Sequence, residues 1–97
     1  MPTYVILGHW SDQGIRNIKG QPQRTDQTIQ AIEAAGGKMI GLWTTMGRYD
    51  FVMVVEGPSD EQTLGQLLAV ASQGNIRTET LKAFPREVVR PIIERLP

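Results

Sequence analysis

Met46-Gly47-Arg48-Tyr49-Asp50-Phe51-Val52 sets a glycine and three polar side chains between two β-forming runs, Lys38 to Met46 and Tyr49 to Glu56. A connection as short as Gly47-Arg48 forces those runs into an antiparallel hairpin. Pairing across a two-residue turn would put Met46 opposite Tyr49, Thr44 opposite Phe51, Leu42 opposite Met53 and Ile40 opposite Val55 on one face. The other face would carry Thr45 with Asp50, Trp43 with Val52 and Gly41 with Val54. A turn longer by one residue would exchange the two faces, because side chains alternate along a strand. Gly47 is the structural residue of the turn, expected at positive φ.

Outward from the hairpin, the remaining elements follow from composition and punctuation. Thr3 to Trp10 is rich in β-formers and precedes the turn-prone Ser11-Asp12-Gln13-Gly14, so it reads as a first strand. A helical turn over Ile15 to Ile18 is interrupted around Gly20 and Pro22. A helix then starts from an N-cap at Thr25 or Asp26, buries Ile29, Ile32 and Ala35, and stops at Gly36-Gly37. Beyond the hairpin, Gly57-Pro58 ends the strand and Ser59-Asp60-Glu61-Gln62 matches a capping box. The helix it opens carries Leu64, Leu67, Leu68 and Ala71 at helical spacing and ends at Gln73-Gly74-Asn75. Ile76 to Phe84 supplies a fourth strand. A terminal amphipathic helix bears Val88, Val89, Ile92, Ile93 and Leu96, with Pro85 in its first turn and Pro91 expected to kink or restart it.

The order β-α-β-β-α-β plus a C-terminal helix is the split β-α-β pattern of ferredoxin-like α+β folds. In its antiparallel sheet, of spatial order 4-1-3-2, chain direction brings separated segments to one rim. His9 and Trp10 at the end of the first strand, Gly47 and Arg48 in the hairpin, Tyr49 and Asp50, and Asn75 with Arg77 all fall there. His9, Tyr49 and Asp50 are expected to border a common cavity on that rim. Helices cover only one face of such a sheet, while both faces of the hairpin carry apolar residues. A second copy of the chain is the simplest cover for the other face, so a homo-oligomer built on a dimer is expected.

Gly47, Tyr49 and Asp50, with Arg48 intervening, resemble the signature of the GYD family, small α/β proteins named for those three residue types. The resemblance extends over almost the whole chain, including Gly8-His9-Trp10-Ser11-Asp12-Gln13-Gly14-Ile15 and Ser72-Gln73-Gly74-Asn75-Ile76-Arg77-Thr78-Glu79-Thr80. It implies the same α+β sheet, akin to that of dimeric α/β-barrel proteins.

Bulk properties narrow the functional classes. Ninety-seven residues with 40% hydrophobic content fit one domain spanning 1–97. The ten basic and ten acidic residues cancel and are scattered, which leaves no field to steer the chain to nucleic acid or an anionic membrane. Zero cysteines exclude a disulfide framework, a thiolate metal site and a cysteine nucleophile. The start Met1-Pro2-Thr3-Tyr4 lacks the features of a signal peptide, and no apolar run approaches the roughly 20 residues of a membrane span. A cytoplasmic location is therefore expected. No HExxH, CxxC, GxGxxG, GxxxxGK[ST] or GxSxG pattern is present, so neither a tightly bound metal, nor a nucleotide cofactor, nor a serine-hydrolase elbow is expected.

The candidate ligand-binding residues are His9, Trp43, Arg48, Tyr49, Asp50 and Arg77, and each has a structural reading beside the chemical one. His9, the one histidine, offers a general acid or base near neutrality, or simply ends a strand. Asp50 orients His9 or a ligand donor, or bonds local amides after the turn. Tyr49 presents a phenol to an oxyanion, or lies on the sheet with its hydroxyl in solvent. Arg48 and Arg77 clamp an anion, or are solvated or paired, for example with Glu79. Trp43, like Trp10, walls a pocket or packs in a core or interface. The expected function is a soluble homo-oligomeric protein that either binds a small polar molecule at this rim or serves as an accessory protein. The alternatives are a cofactor-independent oxygenase or isomerase of the dimeric α/β-barrel kind and a purely structural assembly module.

Overall fold

The structure, a computed structural model, describes residues 1–97. Its elements are β1 (Thr3–Trp10), α1 (Asp12–Arg16), a 3-10 turn (Ile18–Gly20), α2 (Gln21–Ala34), β2 (Lys38–Thr44), β3 (Phe51–Glu56), α3 (Asp60–Ser72), β4 (Ile76–Ala83) and α4 (Arg86–Glu94). The strands form a single antiparallel sheet in the order β2-β3-β1-β4, which from the opposite edge reads 4-1-3-2. This is a ferredoxin-like α+β arrangement.

The hairpin departs from simple two-residue pairing at both ends. Its strands stop at Thr44 and resume at Phe51, and Met46 lies fully in solvent instead of facing Tyr49. The last cross-connection is the Thr45 amide, which donates to the Asp50 carbonyl at 2.8 Å. A bulge between Met39 and Gly41 sets Met39, not Ile40, opposite Val55 and leaves Ile40 exposed. One extra residue in β2 keeps Leu42 opposite Met53 and Thr44 opposite Phe51 while adding a local bend. Gly47 takes φ +122°, a region that side-chain-bearing residues rarely enter.

The core forms on one face of the sheet, where Tyr4, Ile6, Phe51, Met53 and Val55 meet Ile32 of α2. Helix α2 begins at Gln21 with Gly20 as its N-cap, ahead of the expected Thr25 or Asp26. Pro22 sits in the first helical turn, where its missing N–H costs nothing, so it opens the helix instead of interrupting it. Gly36 at φ +88° stops the helix as anticipated.

Helix α3 is rotated from the expected stripe. Ser59 accepts from the Gln62 amide, as a capping residue should, yet Leu64 and Leu68 are exposed and Thr63 is buried. A polar tie holds the start of the helix. The buried Tyr4 hydroxyl donates to the Asp60 carboxylate, and Lys82 of β4 bonds the same group at 2.9 Å. Helix α4 starts after Pro85 and runs through Pro91 without restarting. Its Val88, Ile92 and Ile93 side chains, with Leu96 beyond it, remain exposed, and the helix makes no substantial packing contact with the sheet.

The Tyr4–Asp60–Lys82 tie perturbs all three ionisations. Hydrogen bonds from Tyr4 and then Lys82 lower the Asp60 carboxyl below 3.8. The hydrogen bond to Asp60 raises Lys82 above 10.5, and burial, then the Asp60 hydrogen bond, raises Tyr4 above 10.0. A lowered carboxyl stabilises the fold above its unfolded value and loses that contribution as pH falls; a raised amine or phenol loses it as pH rises.

Two outcomes follow. Gly47→Val is expected to lower stability by at least about 1 kcal/mol in urea unfolding, all of it backbone strain, because a Cβ at Gly47 meets nothing within 4 Å. In thermal melts across pH, the margin of the native chain over Asp60→Asn should be full between the two limits. It should narrow below pH 3.8 and again above 10.0, first through Tyr4 and then through Lys82.

Candidate functional site

Strand direction delivers the rim. β1 ends where β3 and β4 begin, so His9 lies opposite Arg77 in the β1–β4 ladder and next to the residues that lead into β3. The His9 and Tyr49 rings are 5.1 Å apart with a 35° tilt. His9 Nδ1 stands 4.0 Å from an Asp50 carboxylate oxygen. Arg48 places its guanidinium carbon 5.6 Å from the Tyr49 ring centre, a cation–π geometry. The Tyr49 hydroxyl donates to Glu79 at 3.0 Å. His9, Tyr49, Asp50, Arg48 and Arg77 are therefore neighbours despite their spread along the chain.

Asp50 is the joint of this rim. Its carboxylate accepts the Trp10 amide at 2.9 Å and its own amide donates to the Gly8 carbonyl at 2.8 Å. The side chain thus spends one oxygen on backbone, the local role that Asp favours beside turns, and that same oxygen is the one nearest His9. Thr45 adds a hydroxyl bond to the Tyr49 carbonyl at 2.5 Å and keeps the loop closed.

A second set of bonds fixes the neighbouring loop. The Ser11 amide donates to the Asn75 carbonyl at 2.9 Å, the Ser11 hydroxyl donates to the Gly74 carbonyl at 2.5 Å, and the Gln13 amide group reaches Gln73 and Asn75. Gly14 packs so closely that a Cβ there would lie 2.1 Å from the Asn75 carbonyl oxygen. The segments around Gly8–Ile15 and Ser72–Thr80 are thus one structural unit.

Trp43 stands apart from the cluster. It projects from β2 on the same open face, but its indole lies back over Gly41, where a Cβ would meet the ring at 2.3 Å. Glu79 is the residue that sequence reasoning passed over as a partner for Tyr49; the signal was its two-residue spacing from Arg77, which puts both on one face of β4. No three His, Cys, Asp or Glu side chains are close enough together to hold a metal ion. No helix is long and apolar enough to cross a membrane.

A cavity under the helices lies elsewhere. It measures about 240 Å³, sits between the opposite face of the sheet and helices α2 and α3, and is lined by Trp10 and Phe51 but not by His9, Tyr49 or Asp50. That cavity is separate from the rim: strand alternation sends His9 to the open face while its neighbours Gly8 and Trp10 turn toward the helices. A sealed apolar void of that size would cost about 6 kcal/mol at about 24 cal/mol per Å³, a large part of a small domain's stability. This one opens to solvent between the helices.

Comparison with known proteins adds the family. The family model described as GYD domain matches residues 4–93, a span that contains the whole rim. A glutamine synthetase and cystathionine beta-lyase binding protein of Thermus thermophilus is 33% identical over 97 residues, with 99% of each chain covered. No solved structure matches the chain.

The rim geometry separates the roles of its members. Asp50→Ala leaves the partly buried Trp10 amide without its partner and should cost about 1–3 kcal/mol in denaturant unfolding, whereas Asp50→Asn keeps an acceptor and should cost well under half of that. His9→Ala, at a partly exposed position, should stay within about 0.5 kcal/mol.

Proposed function

The chain belongs to the GYD domain family, and on that premise we propose that it is an accessory protein that works by binding other proteins, self-associated through its open sheet face. The observation that carries this reading is the uncovered apolar surface. Val5, Leu7, Val52 and Val54 alternate onto the face away from α2 and α3, flanked by Trp43 and Leu81, which are 55% and 48% exposed. Such a patch is unusual on a solitary domain and marks interaction surfaces.

Size supports two contributions to the interface. A four-stranded face spans roughly 20 by 20 Å, about half of the roughly 800 Å² that a stable interface takes from each partner. The stripe of Val88, Ile92 and Ile93 on α4 is a second apolar surface on the same chain. A face-to-face pair of sheets with α4 as a flanking element is the dimeric α/β-barrel type of assembly.

The partners in the name of the Thermus thermophilus relative, glutamine synthetase and cystathionine beta-lyase, make those two enzymes the first partners to test, and a cytoplasmic setting suits a cysteine-free chain. The rim of His9, Tyr49 and Glu79, with Arg48 and Arg77 beside it, is the place for a small polar molecule that modulates the association. Its acid, base and phenol groups hydrogen-bond without a cofactor.

The test is light scattering of the chain alone, then sedimentation with purified glutamine synthetase and, separately, cystathionine beta-lyase from the same organism. The native chain should run as a dimer or larger at micromolar concentration and co-sediment with at least one of the two enzymes. Trp43→Glu with Leu81→Glu should give a folded monomer by circular dichroism. A native chain that is monomeric and sediments apart from both enzymes overturns the reading.

A further inference from the structure

We propose that the cleft between α2 and α3 is a second binding site, for a small carboxylic acid with an apolar body, held by Arg24. The inference does not rest on the self-association reading, because the cleft lies on the opposite face of the sheet.

The floor of the cleft is apolar. Ile6, Phe51 and Met53 rise from the sheet, and Ile32, Leu42 and Leu67 close its sides. Polar groups gather at its margins, chiefly the amides of Gln21, Gln66 and Gln73. An apolar floor with a few convergent polar groups is the usual form of a small-molecule site. Volume sets the size of the guest. An apolar cavity of about 150 Å³ takes benzene, so the 240 Å³ here takes a six-membered ring or branched chain plus a short polar head.

Charge sets the nature of that head. Arg24 is the one lysine or arginine among the lining residues. It donates a single hydrogen bond, from Nη1 to the Asn17 carbonyl at 3.0 Å, and no carboxylate pairs with it. Four of its five N–H donors remain for a ligand, in the planar fork that matches a carboxylate. The one acidic residue in the lining, Glu56, belongs to the alternate set of β3 that faces the open side of the sheet, so its carboxylate does not oppose an anion in the cleft. Charge, volume and apolar floor therefore agree on a monocarboxylate, with its body on Phe51 and its head on Arg24.

Trp10 lines the cleft and Trp43 does not, so Trp43→Phe leaves a single tryptophan as a local reporter. In that background phenylacetate should change Trp10 emission saturably, with a Kd of about 1 mM or tighter for so small a ligand. Phenylacetamide, neutral and of the same shape, should bind at least about tenfold more weakly, as should phenylacetate to Arg24→Gln, since each removes a charge-assisted bond. Ala31→Phe, at an exposed lining position, should block the response while its circular dichroism stays native and Trp10 remains the one tryptophan. No saturable response to phenylacetate up to about 10 mM, equal binding of the amide, or undiminished binding by Arg24→Gln overturns the site. An emission change that follows protein concentration and ignores phenylacetate also overturns it, by showing that a second copy occupies the cleft.

Discussion

Everything in this chain is arranged around β1, whose backbone is hydrogen-bonded on both edges, to β3 on one side and β4 on the other. With both ladders satisfied, only its alternating side chains remain free to choose partners. Tyr4, Ile6 and Gly8 turn toward the helices and make the centre of the core, while Val5, Leu7 and His9 turn away. The direction of β1 also decides that its C-terminal end meets the start of both neighbours. The rim is a consequence of that pairing, and the Asp50 bonds to Trp10 and Gly8 secure it.

The polar residues of the rim divide between architecture and availability. Asp50 is committed to backbone, and Arg48 is drawn over the Tyr49 ring. The His9 imidazole, the Tyr49–Glu79 pair and Arg77 are left at the surface. The segments Gly8–Ile15 and Ser72–Thr80 are held together by the bonds between Ser11, Gln13 and the Gly74–Asn75 turn, with Gly14 pressed against the Asn75 carbonyl. A side chain at Gly14 would push apart the loop that carries β4 to the rim.

Too few helices for too much apolar surface is the other governing fact. Only 10 of 97 residues are buried, so a chain of this length leaves apolar area in four places: the open sheet face, the stripe of α4, the cleft under α2 and α3, and Leu64 with Leu68 on the outside of α3. Small domains bury a smaller share of their surface than large ones, and association or ligand binding is how the remainder is removed from water.

Strand alternation, the Ser59 cap, the Gly36 and Gly47 turns and the β-α-β-β-α-β order were all determined by the sequence, because each depends on residues within a few positions of one another. The meeting of His9, Tyr49, Asp50 and Arg77 was legible too, since antiparallel direction alone places them on one rim. Tertiary structure decided what local pattern cannot encode. The bulge at Ile40 and the tie that holds the start of α3 each involve a partner distant in the chain: Val55 across the ladder, and Tyr4 with Lys82 at Asp60. The cavity was likewise invisible to periodicity, which says which side chains face the helices but not how far the helices stand from the sheet. That distance depends on which side chains fill the space between them, a property of packing in three dimensions.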